Sequence, residues 1–259
     1  MTVCIIIPMY NEERMAARCL QTLLPFIRDL PETDVVVIND GSSDATAQVV
    51  QPFTRDASAN VYLLHHEHNQ GYGAALKTGV RFAVDGDYDY VLFMDSDLTN
   101  HPKYLSRFYE KMHEGYDYIK ATRYSYGGGT DGIPLKAYII SRIGNMIARH
   151  LFGVPLHDVT NGFRAVRTSL LRDLDLQERG FAIIMEELYD VSALKPRFAE
   201  VPYVLTSRRR EDGASSFPYT SQTIKTYLSY AFRRAKDRAF GRTRVATRAS
   251  QNNVPMLRE

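Results

Sequence analysis

The sequence predicts an α/β fold with a mostly parallel, Rossmann-like central sheet, and three observations carry that expectation. Continuous apolar runs at residues 3–7, 35–38, 61–64 and 90–94 have the length and β-branched content of strands covered on both faces. Helical patterns at 12–30, 43–57 and 73–84 alternate with them across short connections. Polar clusters follow three of the four runs, and sheets of this kind bind ligands beyond the carboxyl ends of their strands.

Each element has its own local reason. Pro8 stops the first run, and Glu12 and Glu13 are acids suited to the first turn of the helix that follows. The second run ends at Asn39-Asp40-Gly41, with Ser43 the expected N-cap of the next helix. Gly71 and Gly73 supply a tight turn before the third helix. Beyond Met94 the rhythm changes. A helix is expected at 102–114, a strand at 117–122 and a glycine-rich loop at 124–134 containing Gly127, Gly128 and Gly129. A helix at 136–152, a short strand at 162–166, a helix at 183–194 and a strand at 199–205 complete the core, before a last helix at 220–238. Without internal repeats or a long linker, a single domain is expected.

With 44% hydrophobic and 24% charged residues, the composition is that of an ordinary globular chain. The net charge of +2 conceals an asymmetry: from Tyr203 onward 12 Lys and Arg face 4 Asp and Glu, against 20 and 26 before it. The basic end therefore suits an anionic partner. No nucleic-acid motif accompanies it, so no nucleic acid is expected. Cys4 and Cys19 fall in apolar patterns and read as small buried hydrophobes, which fits a reducing compartment. No secretory signal is expected at residues 1–8, and no window reaches 18 consecutive apolar residues. Any membrane role must then be peripheral.

The candidate chemistry centres on Asp95-Ser96-Asp97, at the end of the fourth apolar run. Two carboxylates there can cap the following helix, or offer hard oxygen ligands to Mg²⁺ or Mn²⁺, with diphosphate oxygens completing the shell. His65-His66-Glu67-His68 has the ligand types of a transition-metal site but no paired cluster elsewhere, so metal binding is not expected of it. The 135–152 segment sets Tyr138, Ile139, Ile143, Met146 and Ile147 on one side, with Lys136, Arg142 and Arg149 interspersed. That pattern serves a core helix or an interfacial one.

Three strand-end segments, Ile7-Pro8-Met9-Tyr10-Asn11-Glu12-Glu13, Ile38-Asn39-Asp40-Gly41-Ser42-Ser43-Asp44 and Asp95-Ser96-Asp97, together resemble the family 2 glycosyltransferases of GT-A fold. Asn69-Gln70-Gly71-Tyr72-Gly73 matches that family's third loop. The resemblance implies nucleotide-sugar contacts at Pro8, Tyr10, Glu12, Ile38 and Asp40, and a metal held by Asp95 and Asp97 next to Ser96. Asn39 departs from the family's usual aspartate.

The second half is similar to dolichol-phosphate (polyprenyl-phosphate) mannose synthases. Thr122-Arg123-Tyr124 before Gly127, Asp158 to Ala165, Phe181 to Glu186, and Arg210-Glu211-Asp212-Gly213-Ala214-Ser215 carry this likeness in order. It implies inverting transfer of mannose from GDP-mannose to a polyprenyl phosphate, by a GT-A domain at 1–219 with a basic amphipathic helix at 220–240 and a flexible basic tail at 241–259. Arg123 and Arg210 are the implied clamps beside the metal and phosphates, with Asp97 the third catalytic group. Arg164 and Glu186 are further substrate-binding candidates. Ser216 stands where the family usually has lysine, so a phosphate-facing charge is missing unless Arg208 or Arg209 substitutes. The likeness implies a protein on the cytoplasmic face of a membrane. UDP-glucose as donor is the nearest alternative. A nucleotidyltransferase would instead place a glycine-rich loop and an arginine after the first strand, where this chain has Pro8-Met9-Tyr10-Asn11. A nucleotide-sugar sensor without catalysis is the third alternative.

Overall fold

Strand after strand, apolar side chains alternate between two packed layers, which is why the runs read as continuous. In β1 (Val3–Met9) the residues Val3, Ile5 and Ile7 face one layer while Cys4 and Ile6 face the other. In β2 (Thr33–Asn39), Val35 and Val37 split from Val36 and Ile38 in the same way. This computed structural model describes residues 1–30, 32–55, 60–206 and 221–242.

The remaining elements are α1 (Glu13–Ile27), α2 (Thr46–Val50), β3 (Val61–His65), α3 (Tyr72–Asp85) and β4 (Tyr90–Phe93) in the first half. The second half contributes α4 (Leu105–His113), β5 (Tyr118–Thr122), β6 (Gly129–Asp131), α5 (Leu135–Phe152), β7 (Arg164–Arg167) and α6 (Thr168–Leu171). Last come α7 (Ile183–Ala193), β8 (Phe198–Pro202), β9 (Val204–Thr206) and α8 (Ser221–Ala239). Seven strands form one sheet in the order β3-β2-β1-β4-β7-β5-β8, in which only β7 runs against its neighbours. Helices α1 and α4 cover one face, and α3, α5, α7 and α8 the other. The expected mostly parallel α/β sheet is therefore present.

Differences are local. The segment expected as one helix over 43–57 is α-helical only for Thr46–Val50 and continues as a 3-10 turn over Gln51–Arg55. Pro52, which lacks an amide hydrogen, sits where the α-ladder gives way. Ser43 does not cap α2. Its amide donates to Asn11 Oδ1 at 2.9 Å, while Asp44 Oδ1 accepts from the Thr46 amide at 3.0 Å. The strand expected at 199–205 divides at Tyr203 into β8 and β9, and the glycine-rich loop supplies β6, which pairs with β9. Cys4 and Cys19 are buried free thiols in opposite layers. Among the described residues no helix is long and apolar enough to cross a membrane.

Candidate functional site

The carboxyl ends of β1 and β2 are laced together by their own polar side chains. Parallel register sets Met9 beside Asn39, so the two following loops meet. The Asn11 amide donates to Ser42 Oγ at 3.0 Å, the Glu12 amide to Thr46 Oγ1 at 2.8 Å and the Glu13 amide to Asp44 Oδ2 at 3.1 Å. The Ala45 amide returns a bond to Glu13 Oε2 at 3.1 Å. Asn11 takes the left-handed conformation (φ 53°) that asparagine tolerates. Of the residues expected to meet a nucleotide here, Tyr10 is 46% exposed, Pro8 half-buried and Glu12 nearly buried. Ile38 lies wholly within the core, so its side chain is not available to a ligand.

Asp40 is buried and its carboxylate is occupied internally. Its Oδ1 accepts from the Gln70 amide at 2.9 Å and lies 2.6 Å from His66 Nδ1, while Oδ2 accepts from the Gly71 amide at 2.9 Å. His66 Nε2 meets Thr78 Oγ1 at 2.8 Å, which ties β3's exit to α3. His65 Nδ1 faces Asn39 Nδ2 at 3.2 Å. Both histidines brace the neighbouring segments. Gly71 (φ 97°) and Gly73 make room for the chain itself. A Cβ on either would sit 2.5 Å from the Arg179 carbonyl oxygen or 2.6 Å from that of Glu178. The Gly73 amide donates to Arg179 O at 2.6 Å.

That crossing brings α3 against the carboxylate pair beyond β4. Asp95 Oδ1 accepts from Tyr72 Oη at 3.1 Å and Oδ2 from Asn100 Nδ2 at 3.1 Å. Asp97 Oδ1 accepts from the Thr99 amide at 3.0 Å and its hydroxyl at 2.7 Å. Ser96 between them is buried. Burial, and then the neighbouring Asp97 charge, push the Asp95 carboxyl up to about 6, against the opposing pull of Tyr72, Arg164 and Asn100. The two carboxylates repel one another, and their hard oxygens fit Mg²⁺ or Mn²⁺. Among the described residues no third His, Cys, Asp or Glu joins them. Two walls enclose the pair. The Tyr72 ring stacks on Phe181 at 4.4 Å, and a Cβ on Gly162 would lie 3.3 Å from Tyr72 Oη and 3.5 Å from Asp95 Oδ2.

The arginines serve these walls. Arg123, at the exit of β5, forks onto buried Asp158 through Nε at 2.6 Å and Nη2 at 2.8 Å, while Nη1 has no partner among the described residues. Arg164 lies in the core, where Nε and Nη2 bond Glu187 at 2.7 and 2.6 Å and Nη1 donates to the Gly162 carbonyl at 2.8 Å. It meets the wall of the pair through Gly162 and acts on Asp95 by its charge. Glu186 accepts from the Gln177 and Glu178 amides at 2.9 and 2.8 Å, and so holds the segment that crosses α3. Arg210 and Ser216, with Arg208 and Arg209, lie outside the described residues.

Sequence reasoning missed Tyr72, Asn100, Asp158 and Asn145 as parts of the site. Asn145 Oδ1, on α5, accepts from the Val159 and Thr160 amides at 2.8 and 3.1 Å, which fixes the loop leading to Gly162. Asn100 carried a local signal, standing three residues after Asp97. Asn145 carried none, because its partners are 14 and 15 residues away.

The model of the family described as Glycosyl transferase family 2 matches residues 4–175. An undecaprenyl-phosphate mannosyltransferase of Micrococcus luteus is 32% identical over 213 residues, covering 80% of this chain and 85% of that protein. A polyprenol monophosphomannose synthase of Mycolicibacterium smegmatis is 28% identical over 247 residues, covering 92% and 89%. Among solved structures, a glucosyl-3-phosphoglycerate synthase of Mycobacterium tuberculosis, in complex with Mn²⁺, UDP-glucose and phosphoglyceric acid, superimposes with a TM-score of 0.64 at 21% identity. The match covers 91% of this chain and 80% of that one, and the likeness concerns the fold. The same enzyme is also known with Mg²⁺ and UDP.

Proposed function

The chain is a glycosyltransferase that belongs to family 2, and from that premise we propose that it moves mannose from GDP-mannose to a polyprenyl phosphate with inversion at the anomeric carbon. The observation that carries the reading is the carboxylate pair Asp95 and Asp97, at the carboxyl end of β4 and walled by Tyr72 and Gly162. Asp95 and Asp97 would hold Mg²⁺ or Mn²⁺, which when bound offsets charge on the departing nucleoside diphosphate. The metal complexes of the structural neighbour support that assignment.

The acceptor explains why no strong base is needed. A phosphate monoester has its second pKa near ~6 and arrives largely ionised. The site must instead hold two phosphorylated substrates together. Arg123, oriented by Asp158, offers Nη1 to a phosphate oxygen, and Arg210 is assigned the same task. Arg164 positions Gly162 and does not touch substrate. Tyr10 offers its exposed ring to the nucleotide base, and Asp40 shapes the donor loop through the amides it binds.

A polyprenyl phosphate resides in a bilayer, so the enzyme works peripherally on a membrane, on its cytoplasmic face. Support comes from α5, where Leu135, Ile139, Ile140, Ile143, Met146 and Ile147 are 45–71% exposed. A helix that leaves such a face to solvent is interfacial in character.

The test offers GDP-mannose, UDP-glucose and UDP-N-acetylglucosamine in turn, with a short polyprenyl phosphate and Mn²⁺ or Mg²⁺. Mannosyl lipid from GDP-mannose is expected. Product from UDP-glucose alone would replace the donor and keep the reaction class, and product from none would refute the reading.

A further inference from the structure

Toward the carboxyl end of α5, a cavity of about 440 Å³ opens between α5 and α8. Met146, Arg149, His150, Gly153, Val154 and Arg238 line it. That volume lies in the range of small-molecule sites, about 300–1,000 Å³. The lining holds two arginines, a histidine and no acid. The side chains of Arg149 and His150 have no partner among the described residues.

Gly153 shapes this end of the cavity. It takes the left-handed conformation (φ 67°) that ends α5, and a Cβ on it would lie 2.0 Å from the Arg238 guanidinium carbon. Arg238 thus crosses the helix end, where Nη1 donates to the His150 and Leu151 carbonyls, each at 3.4 Å. Its charge offsets the partial negative charge of the α5 terminus. Arg149 and His150 are left to meet an anion.

The rim identifies the kind of anion. Met146 belongs both to the cavity and to the exposed apolar stripe formed with Ile139, Ile143 and Ile147, at helical spacings of three and four. Phe240, just beyond α8, is 67% exposed. Cations lining a cavity that continues into the apolar stripe through Met146 complement a phosphate attached to hydrocarbon. We propose that this cavity seats the headgroup phosphate of an anionic phospholipid when the stripe of α5 lies on a bilayer. The inference rests on the membrane reading above only for its choice of occupant. It concerns a place distinct from the transfer site, because none of the lining residues holds Asp95, Asp97 or Arg123.

The experiment measures co-sedimentation of the full chain with vesicles of phosphatidylcholine, alone or with one third phosphatidylglycerol. One interfacial cation is worth about fivefold in partitioning. Arg149→Gln should lower binding to the anionic vesicles about fivefold and leave binding to neutral vesicles unchanged. Arg149→Gln with His150→Gln should lower it further. Ile143→Asp should weaken both kinds of binding. Arg14→Gln, on α1 across the sheet, removes the same charge and should change little. Melting temperatures near wild type for Arg149→Gln exclude misfolding, which Arg238→Gln, at a helix cap, would not. Equal losses for Arg149→Gln and Arg14→Gln would overturn the proposal, as would full displacement by millimolar glycerol phosphate, which would mark a site for soluble phosphate. Mannosyl transfer in detergent is read in parallel and should be unchanged in Arg149→Gln. Failure of transfer in the wild type would count against the proposed reaction, while the vesicle result would still decide the headgroup site.

Discussion

Lys120 in β5 is wholly buried, and its Nζ has no hydrogen-bond partner among the described residues. Burial, and then the Arg164 charge, hold its ammonium down at about 7, while Glu187 and Asp158 pull the other way. The unfolded chain keeps this proton up to the ordinary lysine value of 10.5, whereas the folded chain releases it near 7. Stability should therefore rise with pH between these values, by up to about 1.4 kcal/mol per pH unit. Denaturant titrations between neutral and mildly alkaline pH should show the rise in wild type and lose it in Lys120→Met, which should be the more stable protein below neutrality. Its neighbour behaves oppositely. Arg164→Met would leave buried Glu187 without its cation and should destabilise by about 3–5 kcal/mol, read by the same titrations. The carboxylate pair Asp95 and Asp97 was legible as a candidate because two acids after an apolar strand are a local pattern. The internal duties of Asp40 and the pairing of Arg164 with Glu187 were not, since these partners stand 23 to 31 residues away and only folding brings them together.

At the scale of elements, strands buried on both faces announce themselves by unbroken apolar runs, and β1, β2, β3 and β4 all lie where the sequence put them. Short strands do not. The three-residue β6 lies within a glycine-rich stretch, and β9 hid inside an apparent continuation of β8. The glycines before α3 showed a turn, but not what fills the room they leave. Since the Glu178–Gly180 backbone fills it, Gly73→Ala must push that segment away from α3, and with it Phe181 from the Tyr72 ring. Gly73→Ala should lower both the melting temperature and kcat. Steady-state kinetics beside a thermal melt would show it, and unchanged kcat would mean that the Tyr72 wall does not matter to turnover. The apolar side of α5 was equally readable as core or interface, because a sequence shows a stripe and not what covers it. The fold leaves that stripe exposed.

The whole molecule explains why one end of the sheet carries the chemistry. Parallel strands deliver β1, β2 and β4 to the same edge, and antiparallel β7 begins there, so that Gly162 at its start closes on Asp95. The helices on the opposite face from α1 include α5 and α8, so the apolar stripe and the cationic cavity share one side. The basic surplus after Tyr203, visible in composition alone, is carried in part by α8 and Arg242 on that side. In the proposed reaction Asp95 and Asp97 make this surface a metal-dependent mannosyltransferase. The most direct test of that role is formation of mannosyl lipid from GDP-mannose and polyprenyl phosphate by wild type and Asp97→Ala, each with Mn²⁺ and after chelation. Product should form only with wild type and Mn²⁺, while Asp97→Ala stays folded by circular dichroism. Near-normal turnover by folded Asp97→Ala, or by chelated wild type, would contradict it.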